Sequence, residues 1–213
     1  MDYIDTFYFI NLDRRTDRLK QIMSELDKME IPKEKMIRVQ GFDNKIGILG
    51  CGKSHIQAVS HFIESGKERC MIFEDDFEFT ETKEKVYEVL SGIFTSGVEF
   101  DCVMLAGTDN CVWADKQNKY LQRLFFATSP SCYVITKKYA PELLHNLSEG
   151  TAKQEKWINA FGEPENAFNN DYYWIYEQMS KLYYFTVPKL GRQRDSPSDI
   201  TPTSKATMYC IKN

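Results

Sequence analysis

Met71-Ile72-Phe73-Glu74-Asp75-Asp76-Phe77-Glu78 decides the reading of this chain. The apolar run from Cys70 to Phe73 closes on three consecutive carboxylates. A short apolar run bounded by polar residues reads as a buried strand. Three carboxylates a few ångströms apart repel one another, so a buried strand that ends in them needs a compensating charge. A divalent cation supplies one: hard oxygen ligands suit Mg²⁺ or Mn²⁺, ions that also bridge diphosphates. The competing reading is a solvated acidic turn that caps the next helix. Open α/β sheets bind ligands beyond the carboxyl ends of their strands, which favours the metal. The expected ligands are Asp76 with Glu74 or Glu78.

Working outward, the pattern alternates strands with helices. Thr6 to Leu12 reads as a first buried strand, Arg18 to Met29 as a helix stopped by Pro32, and Met36 to Gln40 as a second strand. Gly41 to Gly52 is glycine-rich and polar and reads as a loop leading into a helix from Lys53 to Ser65. Beyond the acidic cluster, a helix is expected over Thr82 to Phe94 and a strand from Asp101 to Ala106, stopped by Gly107. Leu121 to Thr128 and Cys132 to Thr136 read as two strands, and Lys138 to Asn146 as a helix. Asn170 to Met179 reads as a helix and Leu182 to Val187 as the last strand, with a mobile or ligand-ordered tail from Pro188. Such alternation implies an α/β fold, a mostly parallel central sheet with helices on both faces. With 213 residues and no linker or repeat, residues 1–213 read as one domain.

Composition narrows the function. A net charge of −4 and the lack of a basic face argue against nucleic acid. The six cysteines show no C-x-x-C pair or zinc spacing, the N-terminus does not resemble a signal peptide, and no apolar stretch is long enough for a membrane span. A reducing, cytoplasmic setting is expected.

Four further segments carry chemistry. Gly47, Gly52, Lys53 and Ser54 match G-x-x-x-x-G-K-S, but the polar stretch Gln40 to Lys45 stands where a P-loop needs a strand. Three readings remain: a phosphate-binding helix start, a P-loop, or a plain glycine turn. His55, in the first turn of the expected helix, is either a ligand or a buried structural histidine, and Cys51 before it has a position that lowers a thiol pKa. Asn11-Leu12-Asp13-Arg14-Arg15-Thr16-Asp17-Arg18 follows the first strand, where arginines either engage phosphates or pair with Asp13 and Asp17. Asn169-Asn170-Asp171 opens a helix, so Asp171 is a cap or a general base for an incoming hydroxyl. Gly191 to Asp199 could fold over a diphosphate.

Taken in order, these segments resemble glycosyltransferase family 25, the lipopolysaccharide and procollagen galactosyltransferase group. The resemblance rests on Phe9-Ile10-Asn11-Leu12-Asp13-Arg14-Arg15 with Asp17-Arg18, Gly50-Cys51 with Ser54-His55, and Ile72-Phe73-Glu74-Asp75-Asp76. It continues through Cys132-Tyr133-Val134-Ile135 with Ala140, then Val187-Pro188, and Gln193 before Ser198-Asp199-Ile200. It implies a GT-A fold and a metal-dependent transferase that moves a hexose-type sugar from a UDP-sugar donor to a hydroxyl of a glycan or glycoprotein acceptor. It implies Mn²⁺ or Mg²⁺ at Glu74 and Asp76 in the outer roles, with Asp75 open. The donor would be held by Asn11, Leu12, Arg14, Arg18, Gly50, Lys53, Ser54, His55, Asp75 and Gln193, and Asp171 would face the acceptor. The chain is also similar to a virus-encoded N-terminal module, which implies a longer polypeptide working in host cytoplasm. Leu49 and Lys53 depart from the group's usual acidic and small apolar residues. A P-loop-like phosphotransferase and a non-catalytic sugar-binding module remain the alternatives.

Overall fold

The computed structural model describes residues 1–114 and 118–195. Its strands are β1 (Thr6–Asn11), β2 (Met36–Gln40), β3 (Arg69–Glu74), β4 (Phe77–Phe79), β5 (Cys102–Ala114), β6 (Leu121–Thr136), β7 (Tyr183–Thr186) and β8 (Gly191–Gln193). Its α-helices are α1 (Thr16–Lys28), α2 (Gly47–Ser65), α3 (Lys83–Phe94), α4 (Ala140–Phe161), α5 (Asn170–Tyr173) and α6 (Ile175–Ser180).

Six strands form one sheet in the order β2-β1-β3-β6-β5-β7. β1 runs parallel to β2 and β3, β5 runs parallel to β7, and β6 lies antiparallel to β3, β5 and β7. Only β6 runs against the other five, so the sheet is mostly parallel. Because side chains alternate across a strand, each strand feeds two cores. Phe7, Phe9, Met71, Phe73, Val103 and Val134 pack with Ile22 and Leu26 of α1 and with Val86, Val89 and Ile93 of α3. Tyr8, Ile72, Cys70, Met104, Tyr133 and Ile135 pack with Ala58, Val59 and Phe62 of α2, Leu143 and Leu147 of α4, and Trp174. Each fully buried phenylalanine contributes about 2 kcal/mol by area transfer. Helices thus cover both faces, as expected from the sequence.

The differences from expectation have physical causes. α2 begins at Gly47, so of the expected Gly41 to Gly52 loop, residues 41–46 are loop and Gly47 to Gly52 is helix. Its glycines permit close packing: a Cβ on Gly50 would stand 2.4 Å from the Phe42 carbonyl oxygen, and one on Gly52 would stand 2.5 Å from Thr151 Oγ1 of α4. β5 continues through Gly107, whose φ of 154° and adjacent bulges bend the strand rather than stop it. β6 is likewise one strand across the expected break, kinked at Ser129, where φ is 54°. α4 runs well past Asn146, to Phe161, with the ring of Tyr173 lying against Gly150. The expected 170–179 helix divides into α5 and α6 at Trp174.

The beginning of the expected mobile tail is ordered. β8 pairs antiparallel with β4 in a second, two-stranded sheet. Leu190 is buried, and Gly191 lies flat on Phe77, where a Cβ would stand 2.2 Å from the ring. Cys210 and Ser198-Asp199-Ile200 lie outside the described residues.

Candidate functional site

β1 and β3 are parallel neighbours, so Asn11 and Glu74 leave the sheet at the same edge. There a cleft of about 690 Å³ opens between the β1–α1 connection, the Gly41–Asn44 loop, the first three turns of α2 and the acidic turn after β3. Among its lining residues are Asn11, Leu12, Arg14, Arg18, Gly50, Ser54, His55, Glu74, Asp75, Asp76 and Gln193. Residues separated by most of the chain therefore meet in one place.

The acidic triplet is divided between two partner sets. Arg18 Nη1 lies 3.0 Å from Asp75 Oδ1 and 3.1 Å from Asp76 Oδ2, with all three side chains nearly buried. Asn11 Nδ2 donates to Asp75 Oδ2 at 2.7 Å, and Gln193 Nε2 donates to Asp76 Oδ2 at 3.1 Å. β8 brings Gln193 there, held also by the Arg194 amide on the Asp76 carbonyl at 2.6 Å. The like-charge conflict expected at this strand end is thus relieved in part by an arginine from α1. Burial, then the Glu74 charge, still raises Asp76 to a pKa of about 7 against the pull of Arg18. Burial raises Asp75 as well, opposed by Asn11 and Arg18. Asp76 Oδ1 is buried and accepts no hydrogen bond.

Glu74 faces α2 instead. His55 Nε2 lies 3.1 Å from Glu74 Oε1, and His55 Nδ1 lies 2.8 Å from the buried Tyr133 hydroxyl on β6. His55 is in the third turn of α2 rather than the first, because the helix starts earlier than the glycines suggest. Cys51, one turn before it, has its thiol pKa raised well above the ordinary value, by burial and then by Glu74, Asp171 and Asp76. That reverses the lowered thiol pKa expected from a helix N-terminus.

Three expected site residues do not line the cleft. Lys53 points along α2 to Glu155 of α4 at 3.1 Å. Gly52, Lys53 and Ser54 lie in the second turn of α2, and the amides of Leu49 and Gly50 are already bonded to the Ile46 carbonyl. A phosphate cradle needs free amides before a helix, so the P-loop match has no loop to work with. Ser54 is structural as well as cleft-lining: its Oγ donates to the Gly50 carbonyl at 2.7 Å and accepts from the Phe42 amide at 2.9 Å. Glu78 is engaged by Arg192 at 2.5 Å and Arg194 at 3.0 Å, because it stands opposite Arg192 in the β4–β8 register. Asp171 accepts the Ser129 amide at 3.1 Å and the Tyr172 amide at 3.0 Å. Burial, and next the nearby Glu74 charge, raise its pKa against the Ser129 hydrogen bond. Its neighbour Asn170 reaches the cleft wall, with Nδ2 3.8 Å from Cys51 Sγ.

Sequence reasoning missed Tyr133, Arg38 and the Phe42–Asn44 rim. Arg38 Nη2 donates to Asn11 Oδ1 at 2.8 Å and so fixes which way the Asn11 amide faces. Tyr133 stood in the run Cys132 to Ile135 that the family resemblance uses, and its hydroxyl inside that apolar run was the local signal of a role.

No family model and no curated protein matches this chain. Among solved structures, it is similar to a mannose-1-phosphate geranyltransferase from Thermus thermophilus, at 10% identity and a TM-score of 0.47, covering 90% of this chain and 75% of the other. It is also similar to A197 from STIV, at 10% identity and a TM-score of 0.46, covering 91% and 95%. A third likeness is to a UDP-glucose pyrophosphorylase complexed with UDP-glucose, at 9% identity and a TM-score of 0.46, covering 89% and 74%. Values this low assign no activity, and the functional reading stands on the site itself. No helix among the described residues is long and apolar enough to cross a membrane.

Proposed function

We propose that this chain is a nucleotide-sugar-dependent glycosyltransferase, moving a hexose-type sugar from a UDP-sugar to a glycan or glycoprotein hydroxyl. The observation that carries the reading is the meeting of Asn11, Arg14, Arg18, Gly50, Ser54, His55, Glu74, Asp75, Asp76 and Gln193 around one cleft at the carboxyl ends of β1 and β3. These are residues on which the resemblance to glycosyltransferase family 25 rests, and a strand-end cleft is where open α/β sheets take nucleotides.

A divalent cation fits the residues present. Asp76 Oδ1 is a buried oxygen with no hydrogen-bond donor, and Asp76 and Glu74 offer hard carboxylate ligands suited to Mg²⁺ or Mn²⁺. Glu74 and Asp76 would hold the ion, whereas Glu78 is committed to Arg192 and Arg194. When bound, the ion supplies charge stabilisation for a departing nucleoside diphosphate. The chain's own groups do the rest. Arg14, paired with Asp43 at 3.1 Å and half-exposed on the cleft wall, would turn its charge to phosphate oxygens, and Arg18 holds the acidic turn in place. Asn11 and the α2 start shape the nucleoside side, and Asp171, behind the Cys51 and Glu74 wall rather than in the cleft lining, would deprotonate an acceptor hydroxyl that approaches from that side. Its raised pKa suits a general base better than that of an exposed aspartate.

Thermal shift with UDP, GDP, CMP and ATP, each with and without Mn²⁺, tests the reading. Selective stabilisation by UDP with Mn²⁺ is expected, and a flat response across the panel overturns it in favour of a non-catalytic module. Asp76→Asn should remove most UDP-sugar turnover with the fold intact by circular dichroism; unchanged turnover would refute its role.

A further inference from the structure

Glu74 is hydrogen-bonded to His55 of α2, a different kind of neighbour from the Arg18 that holds Asp75 and Asp76. The thiol of Cys51, a ring nitrogen of His55 and a carboxylate oxygen of Glu74 lie within 4.8 Å of one another on the cleft wall. Cys51 and His55 are one α2 turn apart and share a face. Glu74 meets them from the end of β3, with its Oε1 3.1 Å from His55 Nε2.

We propose that Cys51, His55 and Glu74 form a site for a borderline-soft divalent transition ion of the Zn²⁺ class, distinct in chemistry from the hard-cation position at Asp76. The donor set is the first argument: one sulfur, one imidazole nitrogen and one carboxylate oxygen are ligands that zinc accepts and magnesium does not favour. The orientation of His55 is the second. Its Nδ1 is held by the buried Tyr133 hydroxyl at 2.8 Å, which leaves Nε2 directed at Glu74. Histidines that ligate metals are commonly oriented in this way, the far ring nitrogen engaged by a hydrogen-bond partner. Separation is the third. Ligands at about 2.0–2.3 Å from a tetrahedral zinc stand roughly 3.5 Å apart, so the three atoms need close by only about 1 Å.

Three protein ligands leave a fourth position toward the cleft, the arrangement of an open rather than a closed zinc site. Binding releases the Cys51 proton to solvent and forms Zn–S, Zn–N and Zn–O bonds without redox change. Because Glu74 serves both positions, a thiophilic ion here withdraws a carboxylate from the Asp76 position. The site is therefore a point at which zinc opposes magnesium or manganese.

The test uses the full chain, stripped with chelator and kept under reductant, titrated with Co²⁺ and with Zn²⁺ in separate arms. Expected are one equivalent of tightly bound Co²⁺ with a thiolate-to-cobalt charge-transfer absorption, and its displacement by Zn²⁺. Cys51→Ser should abolish that absorption and weaken Zn²⁺ binding at least 10-fold, and His55→Gln should weaken it similarly. Cys70→Ser, on β3 and away from the cleft, should change neither and controls for general thiol loss. Cobalt binding without thiolate absorption, or Zn²⁺ affinity unchanged in Cys51→Ser, overturns the proposal. These readouts are independent of the UDP response, so either reading can fail alone.

Discussion

Arg18 Nη1 stands 3.1 Å from Asp76 Oδ2, and each residue is less than a tenth exposed. Two elements 58 residues apart in sequence thus share a buried charge pair at the floor of the cleft. The guanidinium also serves Asp75, so one cation from α1 holds the acidic turn against its own repulsion.

Removing that cation should be costly. Arg18→Ala leaves two buried carboxylates without their shared partner, and a broken buried pair costs about 3–5 kcal/mol. Urea denaturation should show that loss for Arg18→Ala, and much less further loss when Asp76→Asn is added, because the second change removes one stranded charge. Additive losses would show that the pair is not coupled.

Lys53→Ala should leave stabilisation by UDP with Mn²⁺ as it is in the unmodified chain. Its partner Glu155 is half-exposed, and such surface pairs are worth about 1 kcal/mol or less. A lost nucleotide response in the thermal-shift assay would restore the phosphate-binding reading of this lysine.

Gly50→Ala sets two effects against each other. Alanine is favoured in a helix by about 1 kcal/mol, but here its Cβ would stand 2.4 Å from the Phe42 carbonyl oxygen. That oxygen is backbone, so the Gly41–Asn44 loop must move. Overpacking typically costs about 1–3 kcal/mol, and the net effect should be destabilising. Denaturation gives the sign, and a weakened UDP response should accompany it, since this loop lines the cleft.

Asp171 should make stability fall as pH rises. Its pKa in the fold is raised above the ordinary 3.8 by burial first and by Glu74 next. The folded chain therefore holds this proton more tightly than the unfolded chain. The stabilising contribution is complete below the ordinary value and is lost as pH climbs through the raised one. Asp171→Asn removes this dependence, so the variant should gain on the unmodified chain as pH rises above about 4. Urea midpoints across that range check it, and a constant difference would place the carboxylate at its ordinary pKa. UDP-sugar turnover should fall at least 100-fold in the same variant, as loss of a general base requires.

Much of the frame was legible in the residues. Phe7, Tyr8 and Phe9 alternate between two cores, and Met71, Ile72 and Phe73 do the same, a period that local sequence carries by itself. The strand end at Glu74 and the residues from Asn11, Gly50 and Gln193 were also visible as candidates, because unusual residue types at element boundaries are local features. The start of α2 was not. Glycine signals a loop on propensity alone, and only the approach of the Phe42 carbonyl and Thr151 explains why Gly50 and Gly52 are helical.

The sequence by itself determined an α/β sheet ending in a concentration of charge. Tertiary structure alone decided how that charge is shared. Arg18 takes Asp75 and Asp76, His55 and Cys51 gather about Glu74, and Arg192 and Arg194 remove Glu78 from the cleft. Neighbouring carboxylates of one turn and the strand after it thus acquire different partners. The reason is that a strand's side-chain direction is set locally, whereas the partner of a buried charge is set by whichever distant element the packing brings within about 3 Å.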